Sequence, residues 1–316
     1  MDEIRFFMEE SLVSVEPTAS VREAAQKMRH HSISSILIGE SGNYSGILTD
    51  IDLTRKFAAK NLDPDHTLVS IISNNPIITL DANRPMEEAY ECMRNKNIRH
   101  LGVTEKDEVI GILSIKDFAN YYHNKFCNET EEKGEIQYFM KDSVLSIEAE
   151  KTVLNAAQKM AQHKVGCLII SEAGKVKGLF SESALTMDVI AAGRPLDTTP
   201  LSAILVLQLM TMDCNQTMSN AYQKMRDNNI RHLSISRRNK IVGILSIKDF
   251  ANYYNFKFCQ GKNQEDQVGH YMHEKLETVP ESTSIHKAAR LMKENKIDSL
   301  LVTRNDDITG IVRKEF

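Results

Sequence analysis

Displaced by 132 residues, this chain superposes on itself. Residues 97–127 read NIRHLGVTEKDEVIGILSIKDFANYYHNKFC, and residues 229–259 read NIRHLSISRRNKIVGILSIKDFANYYNFKFC. The identities fall in blocks of 5, 12 and 3, so 20 of 31 positions agree in register. The same displacement relates Met8, Met140 and Met272, and also Gly46, Gly178 and Gly310. A fixed period defines the structural unit inside which every motif must be read. That unit is present twice in full, and a third copy breaks off at Phe316.

A chain of 316 residues, 41% hydrophobic, has material for two or more packed cores. Its net charge of −4 supplies no positive field for nucleic acid or an anionic membrane, and direct binding to either is not expected. Apolar runs such as 202–212 are shorter than the roughly 18 residues of a membrane span. The N-terminal MDEIRFFMEE is acidic and has no secretory pattern. Cys92, Cys127, Cys167, Cys214 and Cys259 are scattered, without C-x-x-C or nearby histidines at ligand spacing. This usage argues against zinc and disulfides and suits a cytoplasmic protein. Cys127 and Cys259, equivalent in the repeat, read as buried thiols.

Each module divides again. Residues 13–15 read as a strand, and Ser20 with Glu23 forms a capping box that opens a helix. Val21, Ala24, Ala25 and Met28 follow at helical spacing. Residues 35–38 and 46–48 make a hairpin about a turn at 41–43, and a helix begins at Asp50. The second half has a strand at 77–80, Pro85 in a first helical turn, and a helix over 86–93. A hairpin of 100–103 and 109–113 then leads into a closing helix over 115–122. The fold class is therefore α/β (α+β), with repeats of β-α-β-β-α type.

A unit of roughly 60 residues cannot cover both faces of a three-stranded sheet, whereas two units stacked sheet to sheet can. Hence the expected domains are 1–127 (units near 6–65 and 68–127), 128–259 (units near 138–200 and 203–259), and an incomplete fifth unit over 260–316. Units one, three and five resemble one another, as do two and four. The fifth lacks a mate, so either the natural chain is longer or another molecule covers it. Segments 128–137 and 260–268 read as extended helix ends or linkers. The methionine-rich helices and the cluster Phe118, Tyr121, Tyr122 and Phe126 read as core or self-association surface.

The pattern resembles the cystathionine β-synthase (CBS) domain, whose pairs form Bateman modules. It carries the run Gly-hydrophobic-hydrophobic-Ser/Thr-x-x-Asp three times: Gly46 to Asp52, Gly111 to Asp117 and Gly243 to Asp249. The resemblance implies that Asp52, Asp117 and Asp249 accept hydrogen bonds from the ribose of an adenosine ligand. It gives Thr49, Ser114 and Ser246 contacts to ribose or phosphate at a helix start, where free N–H groups favour anions. It directs Arg99 and Arg231 at the phosphates, followed by His100 and His232. Adenine is expected in the cleft between paired sheets, against first-strand residues including Thr79 and Thr211. Ser-x-x-Asp is also a plain capping box, and an isolated Arg is often a solvated strand end.

The departures bear on which clefts bind. Unit one has Ser34 at the Arg position. Unit three has Ala184 for the Asp and Gly166 for the Arg, and unit five has Phe316 and Asp298. The last two clefts are expected to be empty. No P-loop, H-E-x-x-H motif or nucleophile elbow occurs, so no enzyme is expected. The reading taken forward is a regulatory protein binding AMP, ADP or ATP, with S-adenosylmethionine or a cyclic dinucleotide as other ligands of the class. Occupancy would modulate an unidentified regulated protein or a homo-oligomer, a dimer first. The alternatives are a ligand-independent interaction scaffold and the regulatory piece of a longer polypeptide.

Overall fold

A computed structural model describes residues 2–40, 42–126, 136–204, 209–260, 277–295, 297, 299–305 and 307–313. Cys127, the side chain of Cys259, Asp298, Phe316, and most of the expected linkers (128–135 of 128–137 and 261–268 of 260–268) lie outside the described residues, while Ile136 and Gln137 begin a short helix and Gln260 ends a π-turn. Residues 1–260 make one compact unit and 261–316 a second.

All five repeats build one sheet plan. In unit one, β1 (Ser14–Val15) runs parallel to β2 (Ser35–Glu40), and β3 (Asn43–Thr49) returns antiparallel. The plan recurs in β4 (Thr79–Asp81), β5 (His100–Glu105) and β6 (Glu108–Ser114), and in β7 (Ser146–Glu148), β8 (Cys167–Glu172) and β9 (Lys175–Ser181). Units four and five supply β10 (Thr211–Asp213), β11 (His232–Arg237) and β12 (Lys240–Ser246), then β13 (Thr278–Pro280), β14 (Ser299–Arg304) and β15 (Asp307–Arg313). A parallel pair needs a crossover, and a helix provides each one: Val21–His31, Met86–Lys96, Val153–His163, Met218–Asp227 and Ile285–Asn295. The hairpins turn through paired left-handed residues, Lys106 with Asp107 and Arg238 with Asn239, which match the strand twist.

The local signals act as their chemistry requires. Ser20 N donates to Glu23 Oε2 at 2.7 Å and Glu23 N to Ser20 Oγ at 3.2 Å, closing the capping box. Val21, Ala24, Ala25 and Met28 are fully buried. Boundaries shift by a few residues: Pro85 is the N-cap of its helix, β4 starts at Thr79, and the closing helix continues to Phe126. In unit one the segment after β3 is one α-turn, Asp50–Asp52, followed by a wider π-turn over Leu53–Phe57. Unit three repeats this with Glu182–Ala184 and Leu185–Ile190.

Within the first module β3 lies against β6, the expected sheet-to-sheet arrangement. The two large cores, however, run between modules. In one, the helices Ile115–Phe126 and Ile247–Tyr254 pack on each other, burying Phe118, Tyr122, Phe250 and Tyr254. In the other, Val21–His31 packs on Leu185–Ile190 and Val153–His163 packs on Leu53–Phe57. Unit two thus joins unit four, and unit one joins unit three. Several polar contacts across this seam come in repeat-related pairs. Tyr90 Oη donates to Asn252 Oδ1 at 2.7 Å, and Tyr222 Oη donates to Asn120 Oδ1. His123 Nδ1 meets Tyr254 Oη at 2.8 Å, and Asn255 Nδ2 donates to Tyr122 Oη at 3.4 Å. Such reciprocity is the pattern of a twofold dimer interface, here made by one chain. The aromatic cluster is therefore internal core. No helix among the described residues is long and apolar enough to cross a membrane.

A shared core implies shared unfolding. Phe118→Ala should cost about 3–5 kcal/mol, the usual range for emptying a buried Phe site. Urea titration followed by circular dichroism should show residues 1–260 unfolding in one transition at a lower midpoint. Separate transitions for 1–127 and 128–259 would contradict the shared core.

Candidate ligand-binding site

The two motif arginines meet carboxylates of the opposite module. Arg231 Nη1 donates to Asp50 Oδ2 and Arg99 Nη1 to Glu182 Oε2, each at 2.9 Å. Asp50 and Glu182 are one repeat apart, as are Arg99 and Arg231, so these ion pairs are related like the tyrosine contacts. Both acids are buried at the first position of the helical turn after β3 and β9. Burial raises the Asp50 carboxyl pKa, opposed by Arg231 and Arg99. Glu182 is pushed up to about 7 by burial and then by the Asp50 charge, with Arg99 opposing. Its Oε1 is buried without a hydrogen-bond partner among the described residues.

His100 and His232 stand beside these pairs, and loss of solvation plus the two guanidiniums holds both rings down to about 3. They are neutral hydrogen-bonding groups at physiological pH. His100 Nε2 lies 3.1 Å from Ser34 Oγ. The repeat equivalent of Ser34 is Gly166, where a Cβ would sit 3.1 Å from His232 Nε2. The missing side chain leaves His232 free of the serine contact that His100 has.

A cavity of about 390 Å³ opens between units three and four, reaching to the first module. Its walls are apolar, with Leu179, Phe180, Met187, Met210, Met225 and Ile247 among them. Its charged lining is Arg29, Lys116, Arg226 and Arg231 against Asp188 alone, an arrangement that favours an anion with an apolar body. Ser181, whose Oγ accepts from Ala184 N at 3.2 Å, lines it together with Ala184, His232 and Ser234.

The cavity groups the expected residues differently from the sequence motifs. Arg231 and His232 face the Ser181 and Ala184 turn of unit three, not Ser246 and Asp249 of their own unit. The unit-three cleft, expected to be empty, has room, because strands from the two sheets of a pair face each other and an arginine on one reaches the helix start of the other. Of the first strand, Leu209 and Met210 line the cavity, while Thr211 does not. Asp249 Oδ2 accepts from Ser246 N at 2.6 Å and from Ser246 Oγ at 2.7 Å. Asp117 does the same with Ser114, both at 2.7 Å. In each, Oδ1 has no hydrogen-bond partner among the described residues. Asp117 lines a second, open cavity with Asp2, Tyr121 and Lys125, away from Arg99 and His100. Thr79 packs beside Gly102 in its sheet.

Asp52 is consumed. Its Oδ2 accepts from Thr49 Oγ1 at 2.6 Å and Asn74 Nδ2 at 2.8 Å, and Lys56 Nζ lies 3.0 Å from Oδ1. Motif reading passed over Asp50, Glu182, Lys116 and Arg226. A signal for the first two was present, since acids one repeat apart flank the motif Thr49 and Ser181. No group of three or more His, Cys, Asp or Glu among the described residues could hold a metal ion.

The family model of the CBS domain matches residues 2–59, 69–124, 134–189, 202–255 and 268–315. The chain belongs to the CBS domain family. CBS domain-containing protein YhcV of Bacillus subtilis is 28% identical over 130 residues, 41% of this chain and 90% of that protein. CBS domain-containing protein CBSCBSPB2 of Arabidopsis thaliana is 24% identical over 256 residues, covering 71% of this chain. The chain spans about half, 48%, of that relative's length. Among solved structures, protein MJ1225 of Methanocaldococcus jannaschii, proposed as an archaeal homolog of g-AMPK, superposes with a TM-score of 0.68. The match covers 80% of this chain and 99% of that one at 18% identity, and so supports the tandem CBS fold alone.

The buried acids of this CBS protein give its stability a sign against pH. Glu182 holds its proton to about 7 when folded, whereas its ordinary value is 4.5. The folded state therefore binds more protons between these values, and stability falls as pH rises through that window. Glu182→Gln should flatten the fall, read from urea midpoints over the same range. An unchanged slope would mean that Glu182 is not the proton-holding group.

Proposed function

We propose that this CBS protein is a cytoplasmic regulatory protein that binds an adenine nucleotide, AMP, ADP or ATP, in the cavity between units three and four. The observation that carries this reading is the lining: apolar walls for a base, with four cations against one acid for phosphate. The family membership supports a binding protein over a catalyst, as does the likeness in fold to a structure proposed as a homolog of g-AMPK. S-adenosylmethionine, cationic at sulfur, suits this lining less well than a phosphate ester. The signal would pass through Arg231. An anion reaching its guanidinium competes with Asp50, so occupancy weighs on a contact between modules and can bias a regulated partner.

Arg231→Ala alone would confuse the test, because it strands buried Asp50 and should cost about 3–5 kcal/mol of stability. The informative variants are the pair Asp50→Ala/Arg231→Ala and the single Lys116→Ala. Titration calorimetry with AMP, ADP and ATP should show binding to the wild type. The pair should weaken it at least about tenfold, equivalent to about 1.4 kcal/mol. Absence of heat and of any melting shift with every adenosine compound would end the sensing proposal.

For the cleft of unit one a structural role fits better, because the hydrogen bonds of Asp52 are taken up by Thr49, Asn74 and Lys56. Asp52→Ala should lower the melting temperature while leaving nucleotide affinity within about twofold of wild type. A large loss of affinity with unchanged melting would assign ligand binding to that cleft instead.

A further inference from the structure

Unit three has Ala184 where the motif places an acid, yet its cleft holds the cavity. Asp188 stands four residues further on, and both residues line that cavity. The segment passes from the α-turn Glu182–Ala184 into the wider π-turn Leu185–Ile190, so residues four apart stay near one face. A helical Cα–Cβ bond tilts toward the N-terminus, which carries the Asp188 side chain back toward Ala184 rather than away. The acid missing from the motif is thereby supplied from the following turn.

This acid differs from the others near the seam. Asp50, Asp52 and Glu182 each hold a basic partner, Arg231, Lys56 and Arg99 in turn. Asp188 is half-buried and, among the described residues, has neither a hydrogen bond nor an ion pair. Burial raises its pKa, and the charges of Arg29 and Arg194 oppose that rise from a distance. Arg194 Nη1 is bound instead to Ala203 O at 2.9 Å. A bare carboxylate in a cationic cavity repels the anion that the other charges attract, unless the ligand itself donates to it. Other side-chain acceptors of the lining are engaged: Ser181 Oγ accepts from Ala184 N, and Asn120 Oδ1 from Tyr222 Oη.

We propose that Asp188 accepts hydrogen bonds from the sugar hydroxyls of the ligand, the task that Ala184 cannot perform. The inference rests on the nucleotide reading of this cavity and narrows it to phosphate esters with hydroxyl donors beside the phosphate. Two neighbouring O–H groups match the two oxygens of an acceptor-only carboxylate. The sugar is the group in question because of where the charges lie. Arg29 is the cation that acts most on Asp188, so the acid belongs to the cationic part of the lining. A donor within reach of both the acid and the cations stands next to the phosphate, as the ribose does. The amino group of adenine lies at the other end of the ligand, toward the apolar wall of Phe180, Met210 and Ile247.

The test is calorimetry on the full chain with AMP, with dideoxy-AMP, which lacks both sugar hydroxyls, and with pyrophosphate, which has no sugar. Wild type should bind AMP at least about tenfold more tightly than dideoxy-AMP. Asp188→Ala should weaken AMP by about the same factor. The same variant should bind dideoxy-AMP and pyrophosphate as tightly as wild type or more so, because a repelling charge is gone. Asp188→Asn keeps the volume and should rank the three ligands in the same way. The sign separates this role from that of a plain charge, whose removal would tighten AMP along with every other anion. If wild type binds AMP and Asp188→Ala binds it equally well or better, the role of Asp188 is overturned and the nucleotide reading stands. A wild type that does not distinguish AMP from dideoxy-AMP overturns it equally, and one that binds none of the three overturns both readings.

Discussion

The helices of each module bury their apolar faces against counterparts one repeat away, and the rest of the structure is arranged around that seam. Residues 115–126 and 247–254 share one core; the crossover helices of units one and three share the other with each other's closing turns. Because the two modules share one repeat, several contacts at the seam occur twice with roles exchanged. The result is a dimer interface whose halves are tethered in one chain, so its formation does not depend on protein concentration.

The paired arginines and acids give this seam its register. Hydrophobic surfaces tolerate sliding, whereas a shift of a few ångströms would leave Asp50 or Glu182 buried without a counter-charge. An uncompensated buried charge costs about 3–5 kcal/mol, more than most single apolar contacts return. The raised carboxyl pKa values are the mark of that environment. They also place the two modules in electrostatic contact at the inner wall of the cavity, where Arg231 is both lining residue and partner of Asp50.

The repeat is not perfectly kept, and the differences change the two clefts. Ser34 engages His100 in the first module, while Gly166 leaves His232 without that contact in the second. Asp52 is tied by three side chains, while Ala184 presents only a methyl to the cavity wall. The two clefts share one plan and differ at a handful of positions: one is closed by internal hydrogen bonds, and the other lines a cavity.

The displacement that maps residues 97–127 onto 229–259, together with the alternation of strands and amphipathic helices, was enough to read the unit, its strand order and its family. Capping boxes, turn residues and helical spacing act over a few residues, so they are visible in one dimension. Likewise, Ser114 with Asp117 and Ser246 with Asp249 form the capping hydrogen bonds that a Ser-x-x-Asp run gives over four residues. The sequence could not say which arginine faces which helix start, nor that Arg231 would lie against Asp50, 181 positions away. Those contacts depend on how two sheets face each other and how two modules dock. Spacing along the chain carries no information about surfaces that meet only after each module has folded.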